Sequence, residues 1–339
     1  MKTKAALGEF EIIGRFFAPL ASSAPQSFAL TDDAAVISVA PEYGVAVSTD
    51  TLIEGVHFLS TDTATDIAAK GLAATFSDIA AMGAAATSYT LSLSLPGAWE
   101  SKKMEKWLEA FAKGLRTQQQ ALGVVLIGGD TVGTPGPLSL TFTVFGMIKH
   151  GHELRRSAAS PGDLVYVSGS IGDAALGLRA LRGDLEELDE RQRDMLVMRF
   201  RRPTPRLALG LQLVGVAHAA VDVSDGLVAD LGHICEASGV QATVEAVRIP
   251  LSDAACAALR ADPARMVHVL SGGDDYELVF TAPPEAAEDI AAIAAKINLR
   301  LTPIGRIAEQ RASDESPAVV VVGKNGQPLP AGTGGFSHF

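Results

Sequence analysis

The sequence predicts a two-domain α/β protein, and three observations carry that expectation. Its 339 residues exceed one ordinary domain. Short β-branched runs alternate with longer Ala/Leu-rich segments of helical length. A polar stretch, Lys149–Gly162, separates two strand-rich, glycine-punctuated halves, which sets the domains at residues 1–150 and 151–339.

The elements follow in order. An amphipathic helix is expected over Glu9–Phe17. Strands are expected at Ala34–Val39, Val45–Thr49, Ser88–Leu95, Val124–Ile127 and Leu138–Gly146, then at Asp163–Ser168, Ala220–Val223, Glu277–Thr281 and Ala318–Val322. Helices are expected at Asp66–Met82, Glu100–Leu122, Gly172–Leu181, Leu207–Val214, Leu227–Ser238 and Glu285–Ile297. The most charged segment, Gly183–Asp194, reads as a solvated helix or loop.

Composition narrows the class of function. An apolar share of 47% and a charged share of 20% allow a full core. With 28 basic and 39 acidic side chains the net charge is −11, which argues against a nucleic-acid partner. The one basic cluster, Arg199–Arg206, is short, and its RRPTPR run reads as a structural loop. Two cysteines, Cys235 and Cys256, suit a reducing cytoplasm rather than a disulfide scaffold. The N-terminus lacks the apolar core of a secretion signal, and the apolar runs are strand-sized, so no membrane span is expected.

The aspartates carry the chemical signal. Asp32 and Asp33 precede an expected strand in TDDAAVI, whereas Asp50 follows one in VAVSTDT and Asp130 follows another in VVLIGGDT. Asp222 and Asp225 bracket a strand-to-helix turn in AVDVSDGL, and Asp274 and Asp275 lie in SGGDDYELVF. A lone Asp at a strand end is ordinarily a turn former or helix cap; Asp225 in particular reads as an N-cap, and Asp163 and Asp173 as turn or cap residues. Repetition of strand-then-Asp is less easily explained that way, because ligands of α/β sheets gather where strand ends converge. Asp78 stands in DIAAKGLAATFSDIAAMG, apolar on nearly every face, so it must be exposed, paired or bound to a cation; Lys70 is one indirect partner. Hard oxygen ligands without a histidine motif suit Mg²⁺, and several such carboxylates imply several ions and a phosphate-rich ligand. No P-loop or protein-kinase motif is present, so phosphoryl transfer would rest on metals and positioning.

At these residues the sequence resembles the thiamine-monophosphate kinase family, among the aminoimidazole-ribonucleotide-synthetase-like ATP enzymes. The shared segments run from GEFEIIGRFF through TDDAA, STDTLIEGVHF, KGLAATFSDIAAMGA and GGDT to LRRSAASPGD. They continue through VSGSIGDAALGL, RRPTPR, DVSDGLVADLGH and SGGDDYEL to GGFSHF, from about Gly8 to Phe339. The resemblance implies that two-domain fold, a homodimer, and ATP held between the domains. The N-terminal domain would carry most metal-binding aspartates and the dimer interface; the C-terminal domain would complete the ATP and substrate site. It implies direct in-line transfer of the ATP γ-phosphoryl group to thiamine monophosphate, giving thiamine diphosphate without a phosphoenzyme.

The same resemblance assigns residues. Magnesium ligands fall on Asp33, Ser48, Thr49, Asp50, Asp78, Asp130, Asp222 and Asp225, of which Asp50, Asp130 and Asp222 are the catalytic set. ATP contacts fall on Gly129, Asp130, Arg156 and Ser224, and substrate contacts on His57, Asp274 and Phe336. Three positions depart from the family pattern: Asp274 replaces the usual Glu, Thr31 replaces a Gly, and VGTPGP after GGDT carries two extra residues. Rival readings are weaker on the residues. A selenophosphate-synthetase-like enzyme wants an N-terminal reactive Cys, a metal-dependent phosphatase mixes His with Asp, and a binding protein would hold metal and phosphate without turnover.

Overall fold

The computed structural model describes residues 8–310 and 318–330. Tertiary contacts divide the chain into two compact units. The first holds residues up to Ile79 together with Ala85–His150, and the second holds Ala80–Ala84 and the chain from Gly151 onward.

The first unit contains α1 (Glu9–Ile12), β1 (Tyr43–Ile53), α2 (Ala64–Ala81), β2 (Ala85–Pro96), α3 (Ser101–Leu122), β3 (Val125–Thr134) and β4 (Ser139–Lys149), the last two residues of α2, Ala80 and Ala81, belonging to the second unit. The strands form one sheet in the order β1-β4-β2-β3. Strands β2 and β3 are parallel because α3 carries the chain back between them; β4 is antiparallel to both of its neighbours. Helix α3 buries Leu108, Phe111 and Leu115 along one stripe, and Tyr89 of β2 donates its hydroxyl to Gln119 Oε1 at 2.7 Å. Helix α2 is apolar nearly all round because it is buried: Leu72, Ala73 and Phe76 are fully enclosed. The inward face of the sheet is Leu91, Leu93, Leu140, Phe142 and Val144. Its other face is left open, with a threonine ladder, Thr49–Thr143 and Thr51–Thr141, beside exposed Val45 and Val47.

The second unit contains β5 (Leu164–Ser168), α4 (Asp173–Leu181), α5 (Glu190–Arg201), α6 (Leu207–Leu213), β6 (Ala219–Asp222), α7 (Leu227–Ser238), β7 (Val240–Glu245), α8 (Asp253–Ala261), α9 (Met266–Ser271), β8 (Leu278–Ala282), α10 (Ala287–Ile297), β9 (Leu301–Glu309) and β10 (Val319–Val322). Its mixed six-stranded sheet has the order β10-β7-β9-β5-β8-β6. Strand alternation splits the core in two. Val165, Val167, Val221 and Val279 pack under α4, α7 and α8, while Tyr166, Ala220 and Phe280 pack under α6 and α10. Among the described residues no helix is long and apolar enough to cross a membrane.

Two sequence expectations need correction. Residues 34–39 form no strand: Val36 and Val39 stay exposed and the segment is not part of either sheet. A β-branched run becomes a strand only where a neighbouring strand accepts a ladder of its backbone bonds; here the Val36 N–H donates to the Gln26 carbonyl at 3.0 Å, and the segment joins neither sheet. Asp225 is not the N-cap of α7; Gly226 is, with no side-chain cap, and the backbone N–H groups of Asp225 and Gly226 donate to Asp230 instead. The charged segment 183–194 is a loop that ends in α5, which opens with a reciprocal capping box between Asp189 and Gln192.

Two arginines of the basic cluster, Arg199 and Arg206, are spent on an internal acid. Glu277 is fully buried at the start of β8; its carboxylate accepts the Ser168 hydroxyl at 2.6 Å, Arg199 Nη2 at 2.8 Å and two N–H groups of Arg206. Glu277→Ala would strand two cations in this site. A loss of about 3 kcal/mol or more is expected, read as a lower urea midpoint at unchanged slope; a loss below about 1 kcal/mol would show the network to be dispensable.

Candidate active site

Three groupings of the expected site residues emerge, each built by a different local device. The first lies where β1 faces α2. Period-two alternation puts Ser48 and Asp50 on one side of β1, and a three-residue helical step puts Thr75 and Asp78 on one side of α2. Ser48 donates its hydroxyl to Asp78 Oδ2 at 2.5 Å. Burial and then the negative charge of Asp78 push the Asp50 carboxyl up to about 6, with a hydrogen bond from Thr75 opposing them. Two half-buried acids that repel each other, with hydroxyls and no sulfur or imidazole beside them, form a donor set suited to a hard divalent cation. Thr49 points to the opposite, open face, where its hydroxyl bonds Thr143, so that hydroxyl does not join the group.

The second grouping is a cavity of about 350 Å³ that brings together Asp33 and Asp130. Phe10, Ile13 and Phe17 line one part of it; Asp32, Asp33, Gly128, Gly129, Asp130 and Thr131 line another. Asp130 sits on β3 in register with Ser92, and its carboxylate accepts the Thr131 N–H at 2.8 Å. Gly129 before it has φ +156°, and a Cβ there would lie 2.0 Å from the Leu91 carbonyl, so only glycine fits this backbone. In the turn after β1, His57 Nδ1 accepts the Ile53 N–H at 3.0 Å. The neutral ring therefore carries its proton on Nε2.

The third grouping lies in the second unit, around the β6–α7 turn. Asp222 ends β6 and is buried, Ser224 and Asp225 are half-buried in the turn, and Asp274 hydrogen-bonds through its N–H to the Ser224 carbonyl at 2.9 Å. Asp230 and His233 join them: one ligand atom from each of Asp225, Asp230 and His233 lies within 4.8 Å of the others. Sequence reasoning missed both residues. Asp230 carried a readable signal, an acid between Leu227 and Leu231 in an apolar helix stripe, the argument already applied to Asp78. Burial pushes its carboxyl up to about 7 despite the backbone N–H groups it accepts.

Two expected residues stand apart from these groupings. Arg156 is exposed beside the far end of α7, where its carbonyl accepts the Ser238 hydroxyl at 2.8 Å. Ser224 and Asp225 precede the near end, and a helix of 12 residues spans about 18 Å. Phe336 lies outside the described residues.

The first grouping has a consequence for stability. A carboxyl raised from 3.8 to about 6 holds its proton more tightly in the folded chain. Its contribution to metal-free stability is thus present below about pH 4 and lost as pH rises through about 6. Asp50→Asn is expected to flatten that slope, to raise the melting temperature in EDTA at pH 8 by about 1–3 °C, and to abolish stabilisation by Mg²⁺. A lower melting temperature in EDTA would contradict the repulsion.

Comparison with known proteins matches these elements to a family. The family model described as AIR synthase related protein, N-terminal domain, covers residues 31–148, and the corresponding C-terminal domain covers residues 160–315. The chain is 40% identical over 337 residues to thiamine-monophosphate kinase of Haemophilus influenzae, spanning 98% of both chains. It is 33% identical to that of Bacillus subtilis over 91% of this chain and 93% of the other. Its fold superposes on the crystal structure of thiamine-monophosphate kinase from Stenotrophomonas maltophilia with a TM-score of 0.81 and 41% identity, covering 96% and 99% of the two chains. AaThiL complexed with AMPPCP and TMP matches it with a TM-score of 0.75 and 28% identity over the whole of both chains. With relatives of this identity over nearly its full length, the chain belongs to the thiamine-monophosphate kinase family and is built from its two AIR-synthase-related domains.

Proposed function

We propose that this chain transfers the γ-phosphoryl group of ATP to the phosphate of thiamine monophosphate, giving thiamine diphosphate and ADP. The observation that carries the reading is the full-length kinship with thiamine-monophosphate kinases, one solved relative of which is complexed with AMPPCP, a methylene-bridged ATP analogue, and TMP. The bond that forms joins an oxygen of the acceptor phosphate to the γ-phosphorus; the bond that breaks is the β,γ bridge, and ADP leaves in line. No residue is phosphorylated on the way.

The chain's own residues have distinct tasks in this reaction. Asp33, Ser48, Asp50, Asp78 and Asp130 in the first unit, with Asp222 and Asp225 in the second, would supply side-chain oxygens to Mg²⁺, and Thr49, whose hydroxyl is taken by Thr143, could offer only its backbone carbonyl. Bound there, Mg²⁺ would offset the repulsion between two anionic reactants and the charge on the transferring group. The donor set of the first grouping supports this: it offers carboxylates and hydroxyls, and Asp50 and Asp78 sit close enough to raise the Asp50 pKa. The bare backbone at Gly129 lets a phosphate approach next to Asp130. Ser224 offers a hydroxyl, and Arg156 an exposed, permanently charged fork for a phosphate. His57 presents an Nε2–H donor to the substrate, Asp274 a carboxylate, and Phe336 a ring for stacking.

Partners and place follow from the same reading. The open face of the first unit's sheet, with its threonine ladder and exposed Val45 and Val47, is the surface we assign to a second copy in a homodimer. A net charge of −11 makes nucleic acid an unsuitable partner. Both cysteines are free, and burial pushes the Cys235 thiol up to about 12, which suits an unreactive thiol in the cytoplasm.

The test is chromatographic. Protein incubated with ATP, Mg²⁺ and thiamine monophosphate should yield equal amounts of thiamine diphosphate and ADP, and neither with EDTA or unphosphorylated thiamine. Release of inorganic phosphate without thiamine diphosphate would overturn the reading. Asp130→Asn should lower turnover at least about 100-fold with the fold intact, since it removes a charge at the reacting phosphates rather than a core contact. For the assembly, Val47→Glu should halve the mass measured by light scattering; an unchanged dimeric mass would move the interface elsewhere.

A further inference from the structure

The segment Gly272–Glu277 contains a local irregularity that its neighbours hold in place. Asp274 has φ +70° and Tyr276 has φ +49°, two non-glycine residues in the left-handed region on either side of Asp275. Such conformations cost energy and persist only where the surroundings over-determine them, most often at functional sites. Here the surroundings do so. Asp274 N–H donates to the Ser224 carbonyl and Tyr276 N–H to the Val223 carbonyl, each at 2.9 Å, while Val223 N–H donates to the Glu277 carbonyl at 2.8 Å. Asp275, fully buried, accepts the Gly172 and Ala174 N–H groups at the start of α4 at 2.6 and 3.1 Å. A Cβ on Gly273 would stand 2.1 Å from the Ser224 carbonyl, so the two loops touch backbone to backbone.

All of these contacts fix the main chain without help from the Tyr276 ring. The ring's hydroxyl donates to Asp274 Oδ1 at 3.1 Å. A glycine would relieve the strain at position 276, yet a tyrosine stands there. Its hydroxyl fixes one oxygen of a short carboxylate and thereby the direction of the other. This matters more for Asp than for Glu, because the shorter side chain cannot adjust its reach by an extra torsion.

We propose that Tyr276 is a positioning residue that aims the Asp274 carboxylate at the amino-bearing ring of the acceptor substrate. The inference rests on the reading of Asp274 as a substrate contact. It concerns the acceptor alone and leaves ATP binding untouched.

The test uses Tyr276→Phe in the full chain, which removes one oxygen atom and keeps the ring. The KM for thiamine monophosphate should rise about three- to tenfold, the loss of one hydrogen bond, with kcat and the KM for ATP within about twofold. A merely structural role would instead lower the melting temperature and affect both substrates. Calorimetric binding of thiamine monophosphate in the presence of AMPPCP extends the test to weakly active variants. In an Asp274→Ala background, Tyr276→Phe should have no further effect on that affinity. An unchanged acceptor KM in Tyr276→Phe, equal losses for both substrates, or an additive effect in the double variant would overturn the proposal. Wild-type protein that makes no thiamine diphosphate would sink the functional reading and this inference together; wild-type turnover with an unaltered Tyr276→Phe protein would sink the inference alone.

Discussion

The first unit is arranged around two acids that should not be neighbours. Strand β1 aims Asp50 at α2, and α2 aims Asp78 back, near enough that charge and burial together push the Asp50 carboxyl up to about 6. Nothing in the requirements of a hydrophobic core asks for this. An Ala or Val at position 50 would bury more apolar surface at no electrostatic cost. A fold that keeps such a pair trades stability for a charge density that a proton or a cation relieves, a trade made at sites more often than in scaffolds. The surrounding elements then read as supports. Helix α2 is apolar on its other faces so that it can hold Asp78 against the sheet, and Ser48 fixes that carboxylate with a short hydrogen bond.

The second unit handles its acids differently. Asp230 and Asp275 are buried, but each accepts two backbone N–H groups and so organises a turn. Glu277 is buried against two arginines and ties β8 to α5 and to the loop before α6. These carboxylates build the loops; Asp222, Asp225 and Asp274 are carried by the loops. The division explains why acids lying next to one another in sequence, such as Asp274 and Asp275, have separate tasks.

Much of this was legible in the sequence, for identifiable reasons. Helices α2, α3, α4 and α7 declare themselves by apolar periodicity, and most strands by β-branched runs, of which those of β1, β3 and β6 lead into an Asp. Strand β7 carries a readable signal that the expectation passed over, since VQATVE alternates apolar and polar residues, whereas LTPIGRIAE of β9 breaks the alternation with Pro and Gly and owes its conformation to its neighbours in the sheet. The opposite failure is residues 34–39, where local composition suggested a strand but the segment pairs with no strand among the described residues. The role of Arg206 was hidden because its acid, Glu277, stands 71 positions away. The cap of α7 was misread for a related reason: Asp225 has the ideal sequence position, but its own N–H is taken by Asp230 from within the helix. Resemblance to a family supplied the site residues, while local geometry showed how Asp50, Asp78 and Asp130 are held and that the Thr49 hydroxyl points elsewhere.

The account stands on the claim that the Asp50–Asp78 pair is a cation site, and a calorimetric titration of Mg²⁺ into the nucleotide-free protein at pH 8 and at pH 5 tests it most directly. Binding at pH 8 that weakens at least about tenfold at pH 5, as protons compete for a carboxyl that titrates near 6, is the expected result. No binding at pH 8, or equal affinity at the two pH values, would contradict it.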